Sequence, residues 1–183
     1  MRNFELKCRC DDPDSVRARA LALGAQEAGV LEQDDLFFRT PAGRLKLRRF
    51  PDGRGELISY VRPDHPGERV SDYRLYRTDA PDSLAAALEH SLGSEGRVCK
   101  RRRLLLHRRT RIHLDEVEGL GSFVELETVV TTQSDAEAEA ELCDLAEALG
   151  LRSADRIAVS YHDLLQGAGS TPECSAPPSR ERL

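Results

Sequence analysis

The stretch that decides the fold is RIHLDEVEGLGSFVELE, residues 111–127. Apolar and polar residues alternate on both sides of a Gly-rich turn, and this pattern predicts two adjacent antiparallel strands. The alternation collects polar side chains on one face of each strand: Arg111, His113 and Asp115 on the first, and Glu125 and Glu127 on the second. Like charges on neighbouring strands repel each other. The clustered carboxylates therefore indicate a cation lying between them.

The composition points to one polar, globular domain. The chain has 183 residues, of which 39% are hydrophobic and 32% charged, with a net charge of −5. A negative chain is not suited to nucleic acid, so we expect no nucleic-acid partner. The charge is nevertheless segregated, because residues 97–111 carry eight Arg or Lys and no acid, whereas residues 135–150 carry six acids and no base. This segregation favours a small anionic ligand over an anionic polymer.

The sequence also predicts a cytoplasmic location. It has no apolar run of membrane-spanning length and no charged-then-apolar leader, so we expect no membrane partner. Its five cysteines form an odd, scattered set without the spacing of a zinc site, and we interpret them as reduced thiols. The oligomeric state stays open, with a homodimer among the outcomes.

The remaining pattern predicts an α+β fold: an eight-stranded antiparallel β-barrel, or a strongly curved sheet, with helices packed outside. Helices are expected from about Pro13, from about Pro81, and after Ser134, where Glu137 completes a capping-box signature. A short last helix is expected over residues 154–166, and residues 167–183 form a low-complexity tail that we expect to be disordered.

Strand alternation gives the predicted barrel a charged face. Its cations come from most of the strands: Lys7, Arg44, Lys46, Arg48, Arg62, Arg74, Lys100, Arg102 and Arg111. On an open sheet this face would simply be solvated. On a closed sheet it would line the interior, where unpaired charges are strongly destabilising. A water-filled tunnel that receives a polyanion and a divalent cation satisfies both signs of charge, and Mg²⁺ or Mn²⁺ suits carboxylate ligands better than zinc does.

Several motifs resemble one known family. The first strand resembles the E-x-E-x-K signature of the CYTH superfamily, the triphosphate tunnel metalloenzymes, and residues 111–127 look like the hallmark of its class IV adenylate cyclase branch. L-K-L-R, Y-V-R-P, S-D-Y-R and K-R-R-R stand between them in the expected order. The resemblance covers roughly residues 2–165, which implies a CYTH domain over residues 1–166.

The resemblance implies roles for individual residues. It implies a catalytic set of Glu5, Lys7, Arg111 and Asp115, with the cations above binding substrate. It implies metal ligation by Glu5, Asp115, Glu125 and Glu127, with Asp115 alternatively an orienting group. Asn3 replaces the first Glu of the signature, which leaves the number of bound metals open.

Three functions are compatible with this set of residues. The branch resemblance favours cyclisation of ATP to cyclic AMP and pyrophosphate. The alternatives are hydrolysis of an organic or inorganic triphosphate, or non-catalytic binding of a triphosphate or polyphosphate. His113 stays outside the predicted catalytic set, and Tyr161 is expected to serve packing. Arg101 should point away from the tunnel, because it alternates with Lys100 and Arg102.

Overall fold

The computed structural model describes residues 2–61 and 69–167. Eight β-strands and four α-helices lie in this part of the chain. The strands are β1 (Arg2–Arg9), β2 (Gln26–Phe38), β3 (Arg44–Arg49), β4 (Gly55–Val61), β5 (Arg69–Thr78), β6 (Ser94–His107), β7 (Thr110–Val117) and β8 (Gly121–Val129). The helices are α1 (Pro13–Ala22), α2 (Pro81–Leu92), α3 (Asp135–Ala148) and α4 (Tyr161–Gly167), with a 3₁₀ turn at Ser153–Asp155.

The strands form a closed antiparallel barrel in the order β1-β5-β4-β3-β2-β6-β7-β8. β1 closes the barrel by pairing with β8 on one side and with β5 on the other. The predicted α+β fold with an eight-stranded antiparallel barrel is confirmed. Closure decides the environment of the charged face, because alternate residues of every strand must then point into the barrel.

The apolar faces of the strands point outward and are covered by helices. α1 and α3 pack on the outer face of β1, β7 and β8, where Leu6, Leu126 and Leu142 are at most 1% exposed. α2 covers β2 and β3 through Ala85. The expected N-terminal signals are present, since Asp12 caps α1 and Ser134 forms a capping box with Glu137. The core of this fold therefore lies between the barrel and its helices, which leaves the barrel interior for polar groups.

The last predicted helix is wrong as a single element. The chain instead makes the 3₁₀ turn at Ser153–Asp155, continues extended, and begins α4 at Tyr161. In the extended part Arg156 forms an isolated bridge with Cys8, and the N–H of Ile157 donates to the carbonyl of Lys7 at 2.9 Å. These backbone bonds to β1 replace the helical ones and carry α4 to one end of the barrel.

Two further expectations meet the structure only in part. Cys8, Cys10 and Cys143 are free thiols, as expected of reduced cysteines. The predicted tail lies outside the described residues apart from Gly167. Among residues 2–61 and 69–167, no helix combines the length and hydropathy needed to cross a bilayer.

Candidate active site

The barrel encloses a cavity of about 450 Å³, within the size range of small-molecule sites. Side chains from all eight strands line it, together with Ser160 and Tyr161 from the α4 end. Tyr161 packs against Phe123 with ring centroids 4.9 Å apart, so α4 covers this end of the barrel. The charged residues of the cavity lie between α4 and the opposite mouth.

Carboxylates and cations alternate across β1, β8 and β7. Glu5 lies opposite Glu127 in the sheet, and Lys7 lies opposite Glu125. The Lys7 Nζ is 3.8 Å from Glu125 Oε1, and Arg111 donates to Glu127 at 3.4 Å. Burial opposes ionisation of Glu125, but Lys7, the adjacent His113 and Arg102 outweigh it and hold the pKa of this carboxyl well below its usual value. Glu125 is therefore charged at neutral pH and available to a cation.

Asp115 is the centre of a second network. Its two oxygens accept hydrogen bonds from Arg102, both at 2.6 Å, and one of them also accepts from Lys100 at 3.3 Å and from the Tyr161 hydroxyl at 3.0 Å. The side chain is fully buried, and these cations overcome its desolvation and lower its pKa. Asp115 thus faces cations rather than the other carboxylates. This geometry favours the orienting role over the predicted metal ligation.

A third ion network joins β2 and β3. Asp35 is 2% exposed and accepts from Lys46 at 2.6 Å and from Arg48 at 2.7 and 2.9 Å. Burial lowers the pKa of Lys46 to about 7, in spite of the neighbouring carboxylate. Asp35 was absent from the predicted site, although it alternates with Gln33 and Phe37 toward the interior. The run E-Q-D-D of residues 32–35 hides the strand in the sequence, because four consecutive polar residues show no alternation.

The structure brings most of the predicted site residues together, but not all of them. The residues that line the cavity are Glu5, Lys7, Lys46, Arg48, Lys100, Arg102, Arg111, Glu125 and Glu127. Arg44 is on the inward register but lies at the α4 end, where it pairs with Asp163 at 2.8 Å. Arg74 is exposed on the outer face, since its neighbours Tyr73 and Leu75 are the residues that line the cavity. Arg62 lies outside the described residues.

Arg74 shows why alternation failed on β5. In the sequence S-D-Y-R-L-Y-R, residues 71–77, alternation places Arg74 on the same side of the strand as Asp72. The structure turns Arg74 to solvent and the Tyr73 side inward. Alternation identifies two faces of a strand, but it does not say which face is inside when both carry polar groups.

The mouth opposite α4 is apolar on three adjacent strands. Leu31, Phe50 and Leu104 line the cavity there. Each is two residues along the chain from a polar residue that also lines the cavity, and it lies farther from α4 than that residue. The polar residues are Gln33, Arg48 and Arg102, respectively. We call Leu31, Phe50 and Leu104 the apolar rim. The sequence analysis did not single these residues out, because isolated apolar side chains next to charged ones are common on ordinary strands.

One group of side chains has the donors for a divalent metal. Ligand atoms of His113, Glu125 and Glu127 lie within 4.8 Å of one another on the wall formed by β7 and β8. Glu5 is adjacent, opposite Glu127 in β1. Two or three carboxylates on a polar wall fit a hard divalent cation. His113, which was left out of the predicted set, belongs to this cluster.

The comparisons with known proteins agree with this architecture. A family model, the CYTH domain, matches residues 1–161. Three solved structures share the fold. The PH1012 protein of Pyrococcus horikoshii is 23% identical, with 88% of this chain and 98% of that chain covered and a TM-score of 0.81. A Vibrio parahaemolyticus protein, proposed to be an adenylate cyclase, is 24% identical, with 90% and 97% covered and a TM-score of 0.73.

A third structure is that of the Hippeastrum protein HpAC1, a proposed adenylyl cyclase described as having a dominant triphosphatase activity. It is 16% identical, with 93% of this chain and 98% of that chain covered and a TM-score of 0.61. No curated protein matches the chain in sequence. Since the family model spans most of the sequence, the chain belongs to the CYTH domain family.

Proposed function

We propose that the protein is a metal-dependent enzyme that acts on an organic triphosphate, and that its reaction is the cyclisation of ATP to cyclic AMP and pyrophosphate. The observation that supports this most is the convergence of cations in one cavity. Lys7 comes from β1, Lys46 and Arg48 from β3, and Lys100 and Arg102 from β6, and all of them line the same space. A single ligand that contacts all three strands must carry several negative charges.

The cations are held ready for such a ligand. Asp35 and Asp115 fix Arg48 and Arg102 by paired hydrogen bonds, so these guanidinium groups lose little freedom when a phosphate binds. Burial disfavours the charge of Lys46 and lowers its pKa to about 7. A polyanion beside it would restore the charged form. Lys46 therefore becomes fully charged, and attracts the phosphate most strongly, only when the polyanion is bound.

The apolar rim favours an organic triphosphate over an inorganic one. Leu31, Phe50 and Leu104 lie next to the inner cations, at the mouth away from α4. A triphosphate held by the cations would place its organic part at this mouth. Apolar surface there would cover the flat face of a base or similar ring system, whereas tripolyphosphate would leave the rim exposed to water.

The residues suggest how cyclisation would proceed. The ribose 3′-oxygen attacks the α-phosphorus, its proton passes to a base, and the bond to the bridging oxygen breaks to release pyrophosphate. Lys and Arg side chains of β3 and β6 would stabilise the charge that develops on the pyrophosphate. A divalent ion held by Glu125 and Glu127, with Glu5 nearby, would supply Lewis-acid stabilisation at the phosphates.

The alternative function is hydrolysis of a triphosphate by attack of water on the γ-phosphorus. The same cations and carboxylates would serve that reaction. The description of HpAC1 as having a dominant triphosphatase activity keeps this alternative open, although its 16% identity supports the fold alone. Which oxygen reaches which phosphorus separates the two reactions, and this depends on how the organic part sits at the rim.

The test is to identify the products formed from ATP, GTP, thiamine triphosphate and tripolyphosphate, each with Mg²⁺ or Mn²⁺, by chromatography. Cyclic AMP with pyrophosphate from ATP supports the proposal, and ADP with phosphate supports the hydrolytic alternative. Binding without any product would leave a triphosphate-binding module. Faster turnover of tripolyphosphate than of every organic triphosphate would contradict the role given to the apolar rim.

A further inference from the structure

His113 lies on β7 directly opposite Glu125 of β8. Its Nδ1 is 3.7 Å from Glu125 Oε2, and its Nε2 is 4.0 Å from Glu127 Oε2. These separations are too long for hydrogen bonds. Within the part of the chain that the structure describes, Nδ1 has no hydrogen-bond partner, although the side chain is only 5% exposed. A buried ring nitrogen without a partner needs an explanation, and the cavity that His113 lines offers one.

The spacing of the three side chains fits an ion between them. Donors about 2.1 Å from an octahedral ion are separated by about 3.0 Å when adjacent and by about 4.2 Å when opposite. One ring nitrogen of His113 and one oxygen of each glutamate lie within 4.8 Å of one another, slightly wider than these separations. Small rotations of the side chains would therefore bring all three onto one ion.

Asn3 provides a second, independent sign of a ligand on this wall. It lies on β1 two residues before Glu5, which is itself opposite Glu127. Its side-chain oxygen is buried and has no hydrogen-bond partner among residues 2–61 and 69–167, and the residue is 3% exposed and lines the same cavity. An unsatisfied amide oxygen and an unsatisfied imidazole nitrogen both accept a cation or its bound water.

The neighbouring cations do not use up the carboxylates. Arg102 donates to Glu125 Oε2 at 2.7 Å, and Lys7 stays 3.8 Å from Oε1. Arg111 holds Glu127 by a long 3.4 Å contact, and its own side chain is 40% exposed. A carboxylate has about four acceptor positions, so both glutamates keep positions for a metal.

We propose that His113 is a metal ligand, and that with Glu125 and Glu127 it forms a mixed nitrogen and oxygen site that binds Mn²⁺ in preference to Mg²⁺. Both ions take carboxylate ligands, but Mn²⁺, as a transition ion, also accepts an imidazole nitrogen, whereas Mg²⁺ prefers oxygen donors and keeps several waters. The inference deepens the proposed function, on which it rests for the nature of the substrate, and it changes the predicted ligand set by adding His113.

The direct test is pulsed electron paramagnetic resonance of Mn²⁺ bound to the full chain, with and without tripolyphosphate. A directly coordinated imidazole gives ¹⁴N modulation of the Mn²⁺ signal. We expect this modulation in the wild type and its loss in His113→Gln. The matched control is His162→Gln, because His162 is also buried but stacks on Phe37 away from the cluster, and its modulation should equal that of the wild type.

Calorimetry of the same proteins gives the affinities. We expect His113→Gln to weaken Mn²⁺ binding at least tenfold, since even residues that only orient metal ligands change affinity by about 10- to 100-fold. Mg²⁺ binding should change less than Mn²⁺ binding, and His162→Gln should change neither. Absence of ¹⁴N modulation in the wild type, or equal Mn²⁺ affinity in His113→Gln, overturns the inference, as does a failure to bind Mn²⁺ both with and without tripolyphosphate. If the wild type binds tripolyphosphate and turns over ATP in those cases, the proposed function stands without the inference.

Discussion

Replacing Asp35 by Ala should lower the stability of the ligand-free protein and make that stability depend on a bound polyanion. Asp35 is 2% exposed, and it is the carboxylate to which both Lys46 and Arg48 donate. Those cations are themselves only 14% and 12% exposed at the side chain. Removing the carboxylate leaves the Arg48 guanidinium charged in the cavity wall without this hydrogen-bond acceptor, and it lowers the pKa of Lys46 further because Asp35 no longer favours its charged form.

The magnitude follows from the burial of the partners. Breaking a buried ion pair from one side is destabilising by about 3–5 kcal/mol, because the remaining charge is desolvated and unpaired. For a protein of this size, about 1 kcal/mol lowers the melting temperature by roughly 2–4 °C, so the loss amounts to roughly 6–20 °C. Water entering the cavity through its mouth would reduce the loss toward the lower figure.

Asp34→Ala is the matched control. Asp34 is the neighbouring residue on the opposite face, where it also binds two arginines, Arg49 at 2.9 Å and Arg97 at 2.7 Å. Its side chain is 21% exposed and those of its partners are 24% and 32% exposed, so we expect a loss of only about 1 kcal/mol. Urea unfolding followed by far-ultraviolet circular dichroism measures both free energies of unfolding.

Tripolyphosphate then separates a charge effect from a packing defect. A ligand that binds only the folded state raises its stability with concentration, and the gain is larger where the ligand also neutralises unpaired cations. We expect tripolyphosphate to raise the melting temperature of Asp35→Ala by more than that of the wild type or Asp34→Ala. Equal losses in the two variants, or equal gains with tripolyphosphate, would show that the instability of Asp35→Ala does not come from unpaired charge in the cavity.

Three further predictions concern the other networks of the cavity. Glu125→Ala and Glu127→Ala should each abolish turnover with Mg²⁺ or Mn²⁺ while circular dichroism stays unchanged, because both side chains face the cavity rather than the core; full activity in both would remove them from the metal site. Tyr161→Phe should destabilise the fold by about 1 kcal/mol in urea unfolding, since the hydrogen bond from its hydroxyl to Asp115 at 3.0 Å is lost, and no change would show that bond to be unimportant. Lys46 has a pKa near 7 in the folded protein and 10.5 in the unfolded chain. The unfolded chain binds more protons between these values, so the protein should become more stable as pH rises from about 7 to 10.5. At pH 8, Lys46 should take up close to one proton when tripolyphosphate binds. Calorimetry in buffers of different ionisation enthalpy measures this uptake, and an equal uptake in Lys46→Met would contradict it.

The fold could be predicted in most respects from the sequence. Strand alternation in residues 111–127 marked both strands of the β7–β8 hairpin, and the capping signals at Asp12 and Ser134 marked the starts of α1 and α3. The sequence left a closed barrel and a strongly curved sheet as alternatives, and closure rests on the pairing of β1 with both β5 and β8. The last element was beyond this approach, because the backbone bond from Ile157 to Lys7 joins residues far apart in sequence.

The candidate site was harder to predict than the fold. Cations such as Lys46 and Lys100 were found because they alternate with apolar residues on clear strands. Asp35 was missed because its strand begins in a polar run, and Tyr161 was assigned to packing because its hydroxyl meets Asp115 only after α4 folds onto the barrel end. Pairings between distant segments decide which carboxylate binds a cation and which remains for a metal, and no local pattern encodes them.

The central claim is that a triphosphate binds inside the barrel rather than on a basic outer surface. Arg111 and Arg101 allow a direct comparison, because their side chains are similarly exposed, at 40% and 54%. Arg111 lines the cavity, whereas Arg101 lies on the outer face near Glu32 and Glu116. Each Ala substitution therefore removes the same charge from the protein, but from opposite sides of the barrel wall.

The decisive measurement is calorimetric titration of Arg111→Ala and Arg101→Ala with a non-hydrolysable ATP analogue at fixed salt and fixed Mn²⁺. Loss of a partly exposed, charge-assisted contact from Arg111 should weaken binding by about 1–2 kcal/mol, discounted from the 1.5–3 kcal/mol typical of charged hydrogen bonds. This corresponds to roughly 5- to 30-fold in Kd. Arg101→Ala should stay within about twofold of the wild type. Equal losses in the two variants would contradict the account, since they would mean general attraction of the ligand to positive charge.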